Sequence, residues 1–120
     1  LRDVNDINNC TSIFELGDSD LIISITDSHR SPYFNMVTID NDNYSSLVIP
    51  PNQAIFRRQD TPAVYGITTV AYVVKPNFVC EKNTMWEGKI RSVHIPPERA
   101  IDIDTLIDFE FAEYLISKKY

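Results

Sequence analysis

Apolar positions along the chain switch between a helical and an extended spacing. Across residues 3–16 they fall largely on one helical face, with Asp3 placed as an N-cap and Gly17 as a stop signal. Residues 21–25 form a nearly continuous apolar run rich in β-branched side chains, which is typical of a strand covered on both faces. The N-terminal segment therefore predicts a helix followed by a strand of a parallel or mixed sheet.

Two strand-like segments then flank a run of Asp and Asn residues. Residues 35–39 and 44–49 lie on either side of residues 40–43, whose side chains favour turns and tolerate left-handed backbone. This order predicts a hairpin that projects from the sheet. An irregular loop is predicted to follow over residues 50–62, because prolines interrupt the pattern there.

The remaining segments alternate between strands and helices. Residues 68–74 are rich in β-branched side chains and are predicted to form a central strand. A short helix from residue 75 to 79 and a strand at residues 89–95 follow. The closing helix, residues 105–118, begins with a Thr-x-x-Asp capping box. The alternation predicts an α/β fold.

Charge and cysteine content exclude several classes of function. The 120 residues carry a net charge of -6 with acidic residues spread along the chain, which argues against nucleic-acid binding. Cys10 and Cys80 have no CxxC spacing, so we predict reduced, buried thiols and no zinc site.

No apolar run approaches the roughly 18 residues of a membrane span. We expect a cytoplasmic protein without a membrane partner, and the start at Leu1 suggests a truncated chain.

The most distinctive local motif is the pair Asp102 and Asp104, just before the closing helix. In an extended segment, residues two apart point to the same side, so both carboxylates could face one ion while Ile101 and Ile103 face the core. Mg²⁺ is bound in this way, by one or two carboxylates completed by water and phosphates. The alternative is that Asp104 or Thr105 caps the helix while Asp102 is solvated.

Arg57 and Arg58 form the chain's clustered basic element. A guanidinium binds a carboxylate or a phosphate with two parallel hydrogen bonds, so Arg58 could hold a sugar acid or a nucleotide phosphate. The alternative is a pair of surface arginines that neutralise Asp60, worth less than about 1 kcal/mol.

Aromatic residues offer a weaker signal. Met85 and Trp86 follow a polar turn and could form an apolar wall for a ligand, and Tyr72 could do the same from its strand. The alternative for all of them is core packing. His29 and His94 have no partners in sequence that would indicate catalysis, and no phosphate-binding glycine loop is present.

These motifs occur in an order that resembles a known family. RRQDTP, VAYVV, NTMWEGK and IPPERAIDIDTLIDFEFAEYL follow one another as in the C-terminal half of the N-acylneuraminate cytidylyltransferases, the CMP-sialic acid synthetases. The segment LRDVNDINNCTSIFELGDSDLIISITDSHRSPYF resembles the part of the family that follows its QPTSP motif. The resemblance covers essentially the whole chain, and its most specific piece is ERAIDIDT with the acidic helix after it.

The resemblance implies a three-layer α/β/α, Rossmann-like nucleotide-diphospho-sugar transferase fold. Residues 1–120 would be the C-terminal part of one cytidylyltransferase domain, with a dimerisation arm at about residues 31–66. The enzyme would be a homodimeric, cytoplasmic nucleotidyltransferase of CMP-sialic acid synthesis, serving lipopolysaccharide or capsule biosynthesis. It would transfer CMP from CTP to a nonulosonic sugar acid and release pyrophosphate.

The resemblance also assigns the residues of the site. Asp102 and Asp104 would bind Mg²⁺ and, with Arg58, act in catalysis. The sugar acid would be bound by Arg58 together with the following residues: Gln59, Tyr72, Met85 and Trp86.

Departures from the family pattern bear on substrate and activity. The family's basic, glycine-containing CTP loop is missing, so we expect this chain to be inactive alone. Gly66, Phe34, the Thr68–Thr69 pair and Met85 replace residues that are common in the family, which indicates a sugar acid other than sialic acid, of legionaminic or pseudaminic type. Two alternatives remain: a glycosyltransferase whose DxD binds a metal and a nucleotide-sugar, and a non-catalytic dimerising fragment.

Overall fold

The computed structural model describes residues 1–50, residue 52 and residues 57–119. Its helices and strands are α1 (Val4–Phe14), β1 (Leu21–Asp27), β2 (Val37–Ile39), β3 (Ser45–Leu47), β4 (Tyr65–Val74), α2 (Pro76–Glu81), β5 (Ile90–His94) and α3 (Leu106–Lys119). Short 3-10 turns cover Arg58–Asp60, Met85–Glu87 and Pro97–Arg99. The prediction of an α/β fold is confirmed, since strands and helices alternate and the larger sheet is mixed.

The chain divides into two compact units. The sheet unit comprises residues 1–26 and 66–120, and the hairpin unit comprises residues 27–65. The predicted arm at about residues 31–66 falls almost entirely within the hairpin unit, although positions 51 and 53–56 of it, and of the predicted loop, lie outside the described residues. The assignment of the chain to one cytidylyltransferase domain stays a prediction.

The three-stranded sheet has the order β4-β1-β5. β1 runs parallel to β5, with Leu21 opposite Ile90, and the backbone N–H of Lys75, just after β4, donates to the carbonyl of Asp20 at 3.0 Å. That bond joins the end of β4 to the start of β1, so these two strands run antiparallel. The apolar run of β1 is confirmed as a buried strand, because its first four residues are all buried.

The prediction that the β-branched segment forms a central strand is wrong. Within the described residues, β4 has β1 as a neighbour on one side only, and Ile67 and Tyr72 are each 45% exposed. β-Branched and aromatic side chains suit any pleated, half-buried surface, so they favour a strand without fixing its place in the sheet.

Local signals at the ends of α1 act as predicted. The carboxylate of Asp3 accepts a hydrogen bond from the backbone N–H of Asn5 at 2.9 Å, and Gly17 ends the segment with φ +79°. Both cysteines are free thiols, as predicted. Cys10 is buried, but Cys80 is exposed at α2, so its predicted burial is wrong. The pattern around Cys80 does not distinguish the inner side of a short helix from its outer side.

The hairpin unit contains the predicted hairpin in shortened form. β2 and β3 pair antiparallel, with Val37 opposite Leu47. The carboxylate of Asp40 accepts hydrogen bonds from the N–H groups of Asp42 and Tyr44, each at 2.9 Å, and Asn43 has φ +67°. The Asp and Asn residues therefore form the turn for the reasons anticipated, local side-chain bonding and tolerance of left-handed backbone.

In the sheet unit the core gathers around β1 and the end of β5. Ile22 and Ile95 are fully buried, and Ala112 of α3 is buried as well. Other apolar side chains of α3 are exposed, among them Leu106, Ile107 and Phe111. None of the helices in the described part of the chain has the length and apolar character needed to cross a bilayer.

Asp20 ties the three strands together at one end of the sheet. Its carboxylate accepts the backbone N–H of Lys89 at 2.9 Å and the Nζ of Lys75 at 2.9 Å. These two interactions, the backbone bond first, hold the pKa of Asp20 below its ordinary value. A carboxyl with a lowered pKa in the folded state stabilises the protein above its unfolded pKa, and that contribution is lost as the pH falls through the folded value.

We therefore expect the melting temperature to fall as the pH is lowered from about 6 to about 3, and Asp20→Asn to reduce that dependence. Melting curves followed by circular dichroism at several pH values measure it. The pKa of Asp108 is also lowered, so the melting temperature of the Asp20→Asn variant should still depend on pH to some extent. Identical slopes for the two proteins would show that Asp20 does not couple protonation to stability.

Gly88 lies against the ring of Phe78, and only a residue without a Cβ fits there. A Cβ at position 88 would stand 2.4 Å from Phe78 Cε2 and 3.2 Å from the Cβ of Asp20. We expect Gly88→Ala to displace the ring and to lower the free energy of unfolding by about 1–3 kcal/mol. Gly66→Ala is the matched control, because a Cβ there meets nothing within 4 Å. Urea denaturation gives the free energy of unfolding of both variants. A loss in Gly88→Ala no larger than that in Gly66→Ala would contradict the prediction.

Candidate functional site

Arg58 and Gln59 line a pocket of the hairpin unit. Its volume is about 480 Å³. Its walls are formed by Asp27, Ser28, Ser31, Arg58, Gln59, Thr61, Pro62, Ala63, Val64 and Tyr65. Hydroxyl, amide, guanidinium and carboxylate groups thus surround one cavity, as expected for the binding of a polar ligand.

Local hydrogen bonds fix the position of Arg58. The hydroxyl of Thr61 donates to the carbonyl of Arg58 at 2.6 Å, which closes the 3-10 turn. The guanidinium of Arg58 donates to the carbonyl of His29 at 3.0 Å and to that of Ser28. Arg58 therefore anchors the segment that follows β1. A guanidinium carries five N–H groups, so a fork engaged with two carbonyls can still donate to an anion.

Tyr72 and Met85 meet at a second pocket, which lies within the sheet unit. Its volume is about 240 Å³, and its lining is mostly apolar. The lining residues are Leu21, Tyr72, Val74, Phe78, Val79, Lys82, Asn83, Thr84 and Met85. Trp86 is 67% exposed and does not line this pocket, so the structure joins two of the three residues predicted to form the apolar wall.

A shift in the alternation of β4 determines which side chains share a face with Tyr72. Thr68 and Val70 point inwards, but so does Ala71, after which Tyr72 points outwards. Such a one-residue change of phase is what a β-bulge produces. Thr69 and Tyr72 consequently lie on the same exposed face of the strand, although residues three apart in a regular strand face opposite sides.

The buried hydroxyl of Ser24, on β1, holds this irregular part of β4. It accepts the backbone N–H of Ala71 at 3.1 Å and lies 3.0 Å from the carbonyls of both Thr68 and Ala71. The hydroxyl of Thr68 adds a bond to Ser24 at 2.9 Å. These bonds engage backbone groups of Thr68 and Ala71 on either side of the shift, so the shift is stabilised from within the core.

Asp102 and Asp104 are exposed in the segment between the turn Pro97–Arg99 and α3. The hydroxyl of Thr69 donates to Asp102 Oδ2 at 3.4 Å. The prediction that Ile101 and Ile103 both face the core is wrong for Ile103, which is 53% exposed. The segment is not a strand, so the strict alternation assumed for it does not apply.

The cap of α3 is built without Asp102 or Asp104 as its acceptor. Asp108 Oδ2 accepts the backbone N–H of Thr105 at 2.8 Å and its hydroxyl at 2.7 Å, and the Thr105 hydroxyl lies 3.3 Å from the N–H of Asp108. The hydroxyl bond from Thr105, followed by its backbone bond, lowers the pKa of Asp108. The predicted capping box is confirmed, and Asp108 accounts for the cap.

Two exposed carboxylates fit Mg²⁺, an ion that keeps several waters and uses few protein ligands. Within the described residues, no group of three or more His, Cys, Asp or Glu side chains is placed to hold a metal. A fully protein-enclosed metal centre is therefore not formed by this part of the chain. The donor chemistry of Asp102 and Asp104 suits an ion whose remaining ligands are water and substrate phosphates.

The sequence interpretation missed Thr69 as a partner of Asp102 and Ser24 as the residue that stabilises the strand beneath it. Both are small hydroxyl residues inside apolar, strand-like segments. A buried Ser in an otherwise continuous apolar run is the one available signal, because its hydroxyl must find a partner.

Comparison with known proteins places the chain beside two proteins of Campylobacter. It is 32% identical over 100 residues to CMP-N,N'-diacetyllegionaminic acid synthase of Campylobacter jejuni, a match that covers 82% of this chain and 40% of the relative. It is 28% identical over 120 residues to post-translational flagellin modification protein B of Campylobacter coli, covering 99% of this chain and 49% of the relative. The chain thus spans less than half the length of either protein. No family model matches it.

Proposed function

This chain is a homologue of the CMP-sialic-acid-type cytidylyltransferases, as the order of its motifs indicated, and we propose that it forms part of an enzyme that transfers CMP from CTP to a nonulosonic sugar acid. The observation that carries the proposal is the 32% identity to CMP-N,N'-diacetyllegionaminic acid synthase over 82% of the chain. The two pockets and the exposed carboxylates support it.

In the proposed reaction, the anomeric oxygen of the sugar acid forms a bond to the α-phosphorus of CTP. The bond from that phosphorus to the bridging oxygen breaks, pyrophosphate leaves, and the hydroxyl proton passes to water. Bound Mg²⁺ would supply neutralisation of the phosphate charge at the reacting phosphorus. Asp102 and Asp104 would hold that ion through their exposed oxygens.

Arg58 and the pocket at Tyr72 would bind the sugar acid. The guanidinium of Arg58 is anchored by backbone carbonyls in a polar pocket, which prepares it to bind a carboxylate without large rearrangement. Gln59 would contribute an amide to the same pocket. Tyr72 and Met85 would pack against an apolar substituent of the sugar, with Trp86 at the exposed margin.

We propose a sugar acid of legionaminic or pseudaminic type. Support comes from Gly66, Phe34, the Thr68–Thr69 pair and Met85, which depart from the family pattern, and from the activity named for the Campylobacter jejuni relative. The product would then enter a lipopolysaccharide or capsule pathway in the cytoplasm.

The test is pyrophosphate release by the protein expressed from its own gene, with CTP, Mg²⁺ and a panel of sugar acids. N,N'-Diacetyllegionaminic acid and pseudaminic acid should be used faster than N-acetylneuraminic acid, and no release is expected from the 120-residue chain alone, because it spans less than half of its relatives. Preference for N-acetylneuraminic acid would reject the assigned substrate. Consumption of a nucleotide-sugar without use of CTP would favour a glycosyltransferase instead.

A homodimer formed through the hairpin unit is also part of the proposal. On that unit the side chains of Val37, Ile39 and Tyr44 are 56%, 67% and 74% exposed. Exposed apolar side chains grouped on one small unit are typical of an interaction surface. Light scattering after gel filtration should give twice the mass of one chain. A monomer at all protein concentrations would reject this part of the proposal.

A further inference from the structure

We infer that Asp6 and Arg99 form a positioning pair that fixes the segment bearing Asp102 and Asp104 in the geometry that divalent-cation binding requires. The inference rests on the proposed function, because it takes Asp102 and Asp104 as the ligands of the ion. Neither Asp6 nor Arg99 touches the ion or a substrate in this scheme. Both act through the backbone that leads to the two carboxylates.

The pair has the geometry of a rigid clamp. Arg99 Nε donates to Asp6 Oδ2 at 2.8 Å, and Arg99 Nη2 donates to Asp6 Oδ1 at 2.9 Å. Asp6 is 1% exposed, and the side chain of Arg99 is 28% exposed. A two-point contact with a nearly buried carboxylate constrains the orientation of the guanidinium as well as its distance.

Both ends of the clamp are attached to fixed backbone. Asp6 lies in the first turn of α1, where its N–H donates to the carbonyl of Asp3 at 3.0 Å. Arg99 ends the turn Pro97–Arg99, where its own N–H donates to the carbonyl of Pro96 at 2.9 Å. The clamp therefore joins the start of a helix to the turn from which the acidic segment departs.

A second contact chain runs from the same turn to Asp102 itself. Arg2 Nη1 donates to the carbonyl of Arg99 at 2.7 Å, and Arg2 Nη2 lies 3.5 Å from the hydroxyl of Thr69. That hydroxyl donates to Asp102 Oδ2 at 3.4 Å. Asp102 is three positions after Arg99, so an anchored Arg99 leaves at most about 10 Å of chain in which Asp102 can move. The turn and the carboxylate are thus held at both ends of a short span.

The charge state of the pair suits this role. The side-chain hydrogen bond with Asp6 raises the pKa of Arg99, so its guanidinium stays charged. The free-energy cost of burying a carboxylate is offset by its charged, hydrogen-bonded partner, and part of that offset is lost when the partner can no longer form both hydrogen bonds. Lysine keeps the charge at position 99 but cannot reproduce the fork, so it separates simple neutralisation from orientation.

The experiment is a Mg²⁺ titration, without nucleotide, followed by the backbone amide NMR shifts of residues 101–105. In the wild-type protein these amides should shift with a single midpoint. Arg99→Lys should raise that midpoint about tenfold, the lower end of the effect seen when residues that orient metal ligands are changed. Amide shifts of β1 and β5 in the absence of Mg²⁺ should stay in place, which shows that the sheet is intact.

Arg91→Lys is the matched control. Arg91 forms an ion pair with Asp18 in which both side chains are about half exposed. Its titration midpoint should equal that of the wild type. If Arg99→Lys does not fold, Asp6→Asn provides the same comparison, since it keeps one acceptor oxygen for the guanidinium.

The outcomes separate this inference from the function on which it rests. A wild-type titration that Arg99→Lys leaves unchanged overturns the positioning role alone. Amides of residues 101–105 that do not respond to Mg²⁺ in the wild type overturn the metal assignment, and the inference with it. An equal rise of the midpoint in Arg91→Lys would show a general electrostatic effect and would also reject the positioning role.

Discussion

Replacing Asp102 with asparagine is expected to reduce Mg²⁺-dependent pyrophosphate release by at least about 100-fold. A metal that polarises phosphoryl oxygens contributes several kcal/mol to the barrier, and each 1.36 kcal/mol corresponds to a factor of ten in rate. Asparagine has nearly the shape of aspartate, so the change removes charge while it leaves an oxygen for the Thr69 hydroxyl. Asp104→Asn should have a comparable effect. Initial rates measured over a range of Mg²⁺ concentrations provide the test.

Asp18→Asn is the control for this prediction. Asp18 is also an exposed aspartate, and it forms an ion pair with Arg91. It should retain wild-type rates. Full activity of Asp102→Asn at limiting Mg²⁺ would show that this carboxylate is not a ligand, and the DxD interpretation would have to be abandoned.

Replacing Arg58 with lysine is expected to raise the KM for the sugar acid by about tenfold or more while the KM for CTP changes little. A hydrogen bond to a charged group contributes about 1.5–3 kcal/mol, and a lysine cannot form two parallel bonds to a carboxylate. The variant also loses the fork that now binds the carbonyls of Ser28 and His29. Steady-state kinetics with each substrate varied in turn measures both constants.

Arg57→Lys separates the role of Arg58 from the general charge of the basic pair. Arg57 is exposed, precedes the 3-10 turn and does not line the pocket. It should leave both constants within a factor of two. A rise in the KM for CTP in Arg58→Lys would instead assign the guanidinium to a nucleotide phosphate, the other ligand that its chemistry allows.

Sequence signals predicted the elements whose causes are local. The cap at Asp3, the turn at Asp40 and the box of Thr105 with Asp108 each form within a few residues, and each appears in the structure as the sequence indicated. Such interactions need only the residue type and its spacing. They gave the order of helices and strands and hence the α/β class.

Features that depend on distant parts of the chain were not predictable from periodicity. The place of β4 at the edge of the described sheet follows from its pairing with β1, about 45 positions away, and the contact of Asp6 with Arg99 spans 93 positions. Exposure of Cys80 and Ile103 likewise depends on what packs against their segments. No local pattern of residue types encodes those contacts.

The candidate site was predicted mainly from family resemblance, since spacing alone left each motif with a plain structural alternative. For the acidic pair, the structure shows Thr105 capping the helix with Asp108 while Asp102 and Asp104 are exposed, which agrees with the structural alternative as well as with an ion site. Support for a site comes from the polar pocket at Arg58. The shared face of Thr69 and Tyr72 could not be predicted, because it arises from an irregularity in the strand.

That irregularity divides β4 into two parts, and the side chains that face outwards are odd-numbered in the first part and even-numbered at Tyr72 in the second. Before position 70 the odd-numbered residues point outwards, whereas Tyr72, an even-numbered residue, points outwards after it. Deleting either Val70 or Ala71 would restore a regular alternation and leave Tyr72 facing outwards and Val73 inwards, because the residues after the shift already follow the new phase. Pocket residues in relatives therefore have to be aligned separately on each side of the position that Ser24 holds.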